Sequence, residues 1–195
     1  MKVLIATQNL DKFKIISGML KKCGLEDSTF FNLKDVNVLT QSEENGTFVN
    51  RAMLKATFAQ KNIANPLEMD LFVGVDDGMK YKGNETNVDS KVVTENILSN
   101  NLLEIGEILT IVRAFAFVDN KGQIIDQFET EIPFKFIGNL KNIKSEETKY
   151  PLSHVLSTIR NKDAIIAMDE NDSLDYYLEF SKDRILEALK KVIVN

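Results

Sequence analysis

The sequence has little of the two residue types that build most transition-metal and nucleophile sites. Among its 195 residues there is one cysteine, Cys23, and one histidine, His154. One cysteine excludes an internal disulfide and a cysteine-rich zinc site, and one histidine argues against a histidine metal cluster or a catalytic triad. Cys23 lies on the apolar face of a predicted helix, so we interpret it as a small core residue. For His154 a structural or surface role is favoured over catalysis. Any chemistry must therefore come from carboxylates, lysines and a hard metal ion.

Basic residues are not in excess. The 24 Lys and Arg are outnumbered by 29 Asp and Glu, which gives a net charge of −5. Because nucleic-acid binders normally carry a basic face, we expect no nucleic-acid partner. The sequence also has no apolar run long enough to cross a bilayer and no signal-peptide pattern. We therefore expect no membrane partner and a cytoplasmic, reducing location.

Hydrophobic residues make up 44% of the chain, and charged residues 27%, as in an ordinary globular domain with a sizeable core. We predict helices over residues 10–23, 47–64, 91–106 and 181–194, strands over 3–6, 71–75, 111–118 and 124–136, an extended segment over 30–39, and polar loops over 40–46, 81–89 and 142–149. Residues 119–122 form a predicted hairpin turn with glycine near the left-handed region. The pattern predicts one α/β domain over residues 1–195, with a mixed central sheet flanked by helices and the hairpin as a partly separate lobe.

A candidate phosphate site follows the first predicted strand. There Thr7 and Asn9 stand at the start of a predicted helix, and Lys12 lies in its first turn. The free N–H groups and the positive dipole end of a first helical turn suit an anion, and Lys12 adds a full charge. An equally simple interpretation makes Asn9 a helix N-cap and Lys12 a solvated surface lysine.

Carboxylates in two further segments suggest a magnesium site. Asp76 and Asp77 directly follow an apolar strand, while Glu43 and Glu44 precede the helix that carries Lys55. Mg²⁺ binds one or two protein carboxylates and completes its shell with water and phosphate oxygens. A neighbouring carboxylate can orient an attacking water while lysines neutralise phosphate charge. The alternatives are a polar turn for the two aspartates, a surface loop for the two glutamates and a solvated position for Lys55.

Three segments resemble motifs of the inosine/xanthosine triphosphate pyrophosphatase family, which hydrolyses non-standard purine nucleoside triphosphates. Residues 4–12, LIATQNLDK, are similar to its T-x-N-x-x-K motif. Residues 43–48, EENGTF, with Ala52, Lys55 and Ala56, resemble its E-x-G-x-T-F…A-x-x-K-A motif, and residues 75–78, VDDG, resemble its D-D-S-G motif. Together these motifs cover roughly the first eighty residues in the expected order.

The resemblance implies an elongated central sheet, a substrate cleft between two lobes, a homodimer and Mg²⁺ as cofactor. It implies hydrolysis of a nucleoside triphosphate to a nucleoside monophosphate and pyrophosphate. The roles that it implies are phosphate binding by Thr7, Asn9, Lys12 and Lys55, metal binding by Glu43 or Glu44, and metal-linked catalysis by Asp77 with Asp76 beside it. Arg184 is the one residue that still matches the family pattern at the place where the family recognises the nucleotide base.

The C-terminal half departs from the family pattern. The segment G-F-G-Y-D-P has its nearest counterpart in residues 150–154, YPLSH, and residues 181–184, SKDR, stand where the family has S-H-R. Asn50 and Arg51 replace the usual Glu and Asn, and the serine after the paired acids is missing. Tyr150, Phe134 and Phe136 are candidates to stack on a purine, although hairpin aromatics are more often core.

Three alternatives to the pyrophosphatase stay open. The first is a nucleotide-binding or regulatory homologue that has lost turnover through its divergent C-terminal half. The second is a phosphatase or phosphotransferase in which Asp76 or Asp77 is the nucleophile, which would release orthophosphate. The third is an interaction domain without enzymatic activity.

Overall fold

A computed structural model describes residues 1–39, 46–82, 84–86, 94, 97, 100, 102–138, 154–161 and 163–194. Its strands are β1 (Lys2–Ile5), β2 (Thr29–Asn32), β3 (Leu71–Tyr81), β4 (Asn84–Thr86), β5 (Ile108–Asp119), β6 (Ile124–Phe136) and β7 (Leu156–Thr158). Its main helices are α1 (Leu10–Leu20), α2 (Phe48–Asn62) and α3 (Glu170–Val194). A π turn, Lys21–Leu25, follows α1, and the 3₁₀ turns Pro66–Glu68 and Ile165–Ala167 precede β3 and α3.

The strands form one mixed seven-stranded sheet in the order β2-β1-β3-β5-β6-β7, with β4 paired to β3 beside this path. Strand β1 is parallel to β2 and to β3, whereas the β3–β4 and β6–β7 pairs are antiparallel. The α/β class and the mixed sheet predicted from the sequence are thus confirmed. The parallel strands bring the carboxyl ends of β1, β2 and the first part of β3 toward the same edge.

Strand β1 is buried on both faces, as parallel strands between helices are: Val3, Leu4 and Ile5 have no exposed surface. One face packs against α2. The cluster there contains the sheet residues Leu4, Ala6, Phe72 and Val118 together with Ala56 and Ala59 of the helix. The small alanine side chains let α2 lie close to β1 and β3, which decides the geometry of the candidate site.

The chain divides into two compact units. Unit 1 contains residues 1–76, 113–130 and 178–195, and unit 2 contains residues 77–112 and 131–177. Unit 1 holds β1, β2, α1, α2 and a stacked group of Phe115, Phe117 and Phe128. In unit 2, Phe134 packs against Tyr176 and Tyr177, and the Tyr176 hydroxyl donates to the Pro133 carbonyl. The expected cleft between two lobes stays a prediction.

Two predicted strands have different lengths in the structure. The extended segment predicted over residues 30–39 ends at Asn32, because the Asn32 side-chain oxygen accepts from the Lys34 amide at 2.8 Å and closes a turn. Conversely, β3 does not end before Asp76 but continues to Tyr81. Its last residues gain backbone partners from β4, which lies in the segment predicted as polar loop. Asp76 and Asp77 are therefore strand residues. The predicted end of the strand at residue 75 was wrong, and so is the alternative of a polar turn at the two aspartates.

The other elements agree more closely. The long hairpin is confirmed, and Gly122 adopts a φ of +85° in its turn, a conformation that favours glycine. Helix α3 begins at Glu170, eleven residues before the predicted start at Ser181, and β7 was not predicted. The predicted loop over 142–149 and half of the predicted helix over 91–106 lie outside the described residues. Within that predicted helix, residues 94, 97 and 100 are helical, but residues 102–106 are not, so the prediction of a helix up to residue 106 was wrong.

Cys23 is buried in unit 1, as predicted, and burial raises the pKa of its thiol to about 11. The nearby charge of Lys182 opposes this shift in part. Among the helices that the structure describes, none combines the length and apolar character needed to cross a membrane.

Candidate active site

The site begins with an unusually close contact between α2 and β3. A Cβ atom on Gly74 would lie 1.9 Å from the carbonyl oxygen of Ala52, so only glycine allows the helix to approach this far. Phe72, Gly74 and Asp76 share one face of β3, since side chains alternate along a strand. That face is the one that α2 covers. Gly74 thereby brings the polar side chains of α2 over Asp76.

Two cations of α2 meet the Asp76 carboxylate. Lys55 Nζ lies 2.5 Å from Asp76 Oδ1, and Arg51 Nε lies 3.5 Å from Asp76 Oδ2. Arg51 and Lys55 are four residues apart, which places them on the same side of the helix. The exposed fraction is 6% for the Asp76 side chain, 8% for Arg51 and 20% for Lys55. Asp76 is thus a nearly enclosed carboxylate that contacts two cations of one helix.

The Arg51 side chain makes two further contacts near the start of α2. Its Nε–H donates to the Gly46 carbonyl at 3.3 Å, and its guanidinium carbon lies 4.9 Å from the centre of the Phe48 ring. Helix α2 starts just there, because the Thr47 side chain caps it by accepting from the Asn50 amide. Sequence reasoning did not assign Arg51 to the site. The sequence did contain a signal for it, because Arg51 stands at a motif position where the family that these motifs resemble usually has asparagine.

The predicted phosphate-binding residues lie at the carboxyl end of β1. The β1–β3 register pairs Ile5 with Val73, and the Ala6 amide donates to the Val73 carbonyl at 2.8 Å. The segment that starts at Thr7 therefore begins beside β3, three residues before Asp76. The structure brings the start of the chain and the Asp76 segment to the same edge of the sheet, as the sequence predicts.

In this segment the N-cap interpretation of Asn9 is confirmed. Its side-chain oxygen accepts from the amides of Asp11 and Lys12 at 3.0 and 3.1 Å, and the Thr7 hydroxyl oxygen accepts from the Asn9 amide at 3.1 Å. Thr7 is buried and Lys12 is half-buried. Capping through the Asn9 oxygen is compatible with donation from its amide nitrogen to a ligand. Phosphate binding by these residues stays a prediction.

The two aspartates differ in their surroundings. Asp76 faces α2, and strand alternation directs the next side chain, Asp77, to the opposite face of β3. Asp77 is half-buried, whereas Asp76 is nearly enclosed. The sequence treats the two acids as a pair, whereas the structure gives them different surroundings, with Asp76 in contact with Arg51 and Lys55 of α2.

Among the predicted metal ligands the structure describes Asp77, and metal binding by this residue stays a prediction. Mg²⁺ requires only one or two protein carboxylates when phosphate oxygens complete its shell, and a half-buried aspartate supplies one. Within the described ranges no group of three or more His, Cys, Asp and Glu residues could hold a metal by itself. Glu43 and Glu44, the other predicted ligands, lie outside those ranges.

The remaining candidates are found elsewhere in the molecule. Arg184 lies on α3, with its guanidinium carbon 5.2 Å from the centre of the Phe128 ring and an ion pair to Glu187 at 3.0 Å. Phe134 and Phe136 are buried, which agrees with a core role in the hairpin. His154 is half-buried, and Tyr150 lies outside the described residues.

Three solved structures resemble this chain over nearly its whole length. A nucleoside-triphosphatase / dITP/XTP pyrophosphatase from Mycobacterium abscessus has 18% sequence identity and a TM-score of 0.57, with 97% of this chain and 98% of that one covered. The Ham1 protein of Staphylococcus aureus has 13% identity and a TM-score of 0.58, and a HAM1 protein from Coxiella burnetii has 12% and 0.59. Both cover 100% of this chain and 98% of their own.

No protein-family model and no curated protein matches the sequence. At 12–18% identity the structural likeness shows the fold, so this chain has the fold of these three proteins. The fold that the three N-terminal motifs predict is thereby confirmed.

Proposed function

We propose that this protein hydrolyses nucleoside triphosphates to nucleoside monophosphates and pyrophosphate with the help of Mg²⁺. The observation that carries the proposal is the contact of Lys55 with Asp76 on β3, beside the end of β1 from which Thr7, Asn9 and Lys12 project. A chain with the fold of a dITP/XTP pyrophosphatase and with lysines at this edge is suited to a polyphosphate ligand.

The residues of unit 1 bind the phosphate chain in this proposal. Lys12 and Lys55 provide full positive charges, while Thr7 and Asn9 provide neutral donors. The bond between the α- and β-phosphoryl groups breaks, water supplies the new oxygen on the monophosphate, and pyrophosphate leaves. The lysines stabilise the negative charge that develops on the leaving group.

Asp77 would hold a divalent metal ion and orient the attacking water, and Glu43 or Glu44 would be the second ligand. A divalent ion bound there neutralises part of the phosphate charge. Asp76 serves the site through Lys55, whose ammonium group it positions. Arg184 is proposed to contact the base. A homodimer, which the family resemblance implies, and a cytoplasmic location, which the composition suggests, stay predictions.

A phosphatase with an aspartate nucleophile is the less favoured function. Asp76 is buried between Lys55 and Arg51, and a carboxylate held by two cations is a weak nucleophile. The products distinguish the two reactions, since a phosphatase releases orthophosphate and leaves a phosphorylated aspartate.

The decisive experiment incubates the protein and Mg²⁺ with the inosine, xanthosine and four standard nucleoside triphosphates and measures pyrophosphate and orthophosphate separately. We expect pyrophosphate and the monophosphate in equal amounts from at least one substrate. Lys80→Met, which removes a lysine of β3 that pairs with Glu131, is the control and should keep full activity. Orthophosphate as the product would favour the phosphatase, and binding without any product would favour a regulatory homologue.

A further inference from the structure

The connecting segment between β1 and α1, residues 7–9, has little regular structure of its own. Strand β1 ends in a sharp turn, in which the Thr7 amide donates to the Ile5 carbonyl at 2.7 Å. The next three residues lie outside both β1 and α1. Because they are not part of a helix or a strand ladder, other bonds must hold them in one conformation.

Two hydrogen bonds join the connecting segment to the support loop, residues 33–38, which follows β2. The Thr7 carbonyl accepts from the Leu33 amide at 3.1 Å, and the side-chain nitrogen of Gln8 donates to the Val38 carbonyl at 3.3 Å. The first bond uses backbone groups alone. The second depends on the residue at position 8, which the motif T-x-N-x-x-K leaves open.

The support loop is itself firmly attached to the core of unit 1. The Val38 amide donates to the Leu33 carbonyl at 2.9 Å, and this bond closes the loop. The side chains of Leu33 and Val38 are buried in the same hydrophobic cluster as Ala6. The core therefore fixes the Val38 carbonyl, and Gln8 ties the connecting segment to that fixed point.

From these contacts we infer that Gln8 is a positioning residue for phosphate binding. It holds the connecting segment in the conformation in which Thr7, Asn9 and Lys12 meet a phosphate chain. Gln8 acts through Val38 and does not touch the ligand. A segment that is ordered in advance loses less conformational entropy when a ligand binds, so the affinity is higher. The inference rests on the proposed function, and a direct contact between Gln8 and phosphate is the competing explanation.

The test compares two half-buried glutamines of unit 1 that make the same kind of hydrogen bond. Gln8→Met removes the bond to the Val38 carbonyl and keeps the length of the side chain. Gln60→Met is the matched control, because Gln60 of α2 donates to the Asn120 carbonyl at 3.0 Å and has no proposed contact with substrate. Calorimetry with Mg²⁺ present measures the affinity for inorganic pyrophosphate, since binding needs no turnover.

We expect Gln8→Met to weaken pyrophosphate binding about threefold to tenfold, which is the range that corresponds to one net hydrogen bond. Gln60→Met should change the affinity by less than about twofold. In turnover of a nucleoside triphosphate, Gln8→Met should raise KM by a similar factor and leave kcat within about twofold. The reason is that substrate and transition state lose the same positioning.

Amide hydrogen exchange in the absence of pyrophosphate separates positioning from direct contact. The Leu33 amide, which donates to the Thr7 carbonyl, reports whether the connecting segment stays attached to the support loop. Positioning predicts that this amide exchanges at least about threefold faster in Gln8→Met and at the wild-type rate in Gln60→Met. Unchanged exchange together with weakened binding would mean that Gln8 contacts phosphate directly, and the inference would be wrong.

The remaining outcomes also decide the question. Faster exchange with unchanged pyrophosphate affinity would make Gln8 a purely structural residue, which overturns the inference and leaves the proposed function intact. Equal losses of affinity in Gln8→Met and Gln60→Met, with equal drops in melting temperature, would show a general loss of stability and overturn it as well. A wild-type protein that neither binds pyrophosphate nor releases it from any triphosphate contradicts the proposed function, and the inference falls with it.

Discussion

Two regions of unit 1 carry ion pairs that involve predicted substrate-binding residues, and they differ in burial. On α2 and β3, Lys55 and Asp76 lie 2.5 Å apart with side chains that are 20% and 6% exposed. On α3, Arg184 and Glu187 lie 3.0 Å apart with side chains that are 48% and 54% exposed. The chemical groups are similar, but water screens only the second pair effectively.

This difference in burial determines how strongly each ion pair fixes the positions of its charged groups. An exposed pair contributes about 0–1 kcal/mol and its partners are easily exchanged for water. In a nearly enclosed pair, by contrast, each group fixes the position of the other, and loss of one partner leaves a costly unpaired charge. We therefore expect substitutions near β3 to have large and separable effects, and those on α3 to have small ones.

The largest effect should come from Asp77. Asp77→Asn is expected to lower the rate of pyrophosphate release about 10²- to 10⁴-fold, the usual contribution of a group that orients or deprotonates water. Since Asp77 is half-buried and Asn has the same shape, the melting temperature should change little. Single-turnover kinetics and a thermal melt measure the two properties.

Asp76→Asn is the matched variant for this experiment. It removes the buried carboxylate that both Lys55 and Arg51 contact, so we expect it to lower the free energy of unfolding by about 3–5 kcal/mol. If Asp77→Asn kept full activity while Asp76→Asn stayed stable and inactive, the roles of the two acids would be reversed.

Gly74→Ala tests the close contact between β3 and α2, which brings Lys55 over Asp76. The new methyl group would lie 1.9 Å from the backbone oxygen of Ala52, and backbone cannot move aside as a side chain can. We expect a loss of about 3 kcal/mol or more in urea unfolding. In the control Gly138→Ala, the closest atom belongs to the Val155 side chain at 3.0 Å, and a loss of less than about 1 kcal/mol is expected. Equal losses in both variants would show that the α2–β3 approach is not especially tight.

The sequence could predict those parts of the site that depend on neighbouring residues along the chain, such as helix starts and a buried strand. Asn9 and Thr47 are N-caps with side chains typical of that position, and they fix where α1 and α2 begin. The apolar run before Asp76 identified the buried strand that carries the acid. These signals act within a few residues along the chain, so they can be seen without the fold.

The rest depends on contacts between distant segments. The pairing of Arg51 with Asp76 exists because Gly74 admits α2, and no local pattern reveals that approach. Likewise, β3 is longer than predicted because β4 supplies its hydrogen-bond partners. The early start of α3 was visible in principle, since Leu174, Leu178, Ser181 and Ile185 are buried at helical spacing.

Cys23 gives a smaller test of how burial and a nearby charge together set the pKa of a side chain. Burial raises the pKa of its thiol from 9.0 to about 11, even though Lys182 acts in the other direction. The folded protein therefore holds the thiol proton more tightly than the unfolded chain does. This contribution to stability, up to about 2 kcal/mol, is complete below pH 9 and is lost as the pH rises toward 11.

Urea unfolding of the wild type and of Cys23→Ala between pH 8 and about pH 11 measures this contribution. The difference in unfolding free energy between the two proteins should shrink as the pH rises. Parallel curves would mean that the buried thiol does not titrate differently in the folded state.

Arg184→Ala should have the smallest effect on stability, less than about 1 kcal/mol, because its ion pair with Glu187 is exposed. If Arg184 contacts the base, KM for a purine triphosphate rises about threefold to tenfold, while pyrophosphate affinity stays constant because pyrophosphate has no base. Lys191→Ala is the control, since Lys191 lies on the same helix as Arg184, pairs with Asp126 of β6 at 2.8 Å and has no proposed contact with substrate. Should KM be the same in both variants, Arg184 forms only a surface ion pair and the base is recognised by other residues.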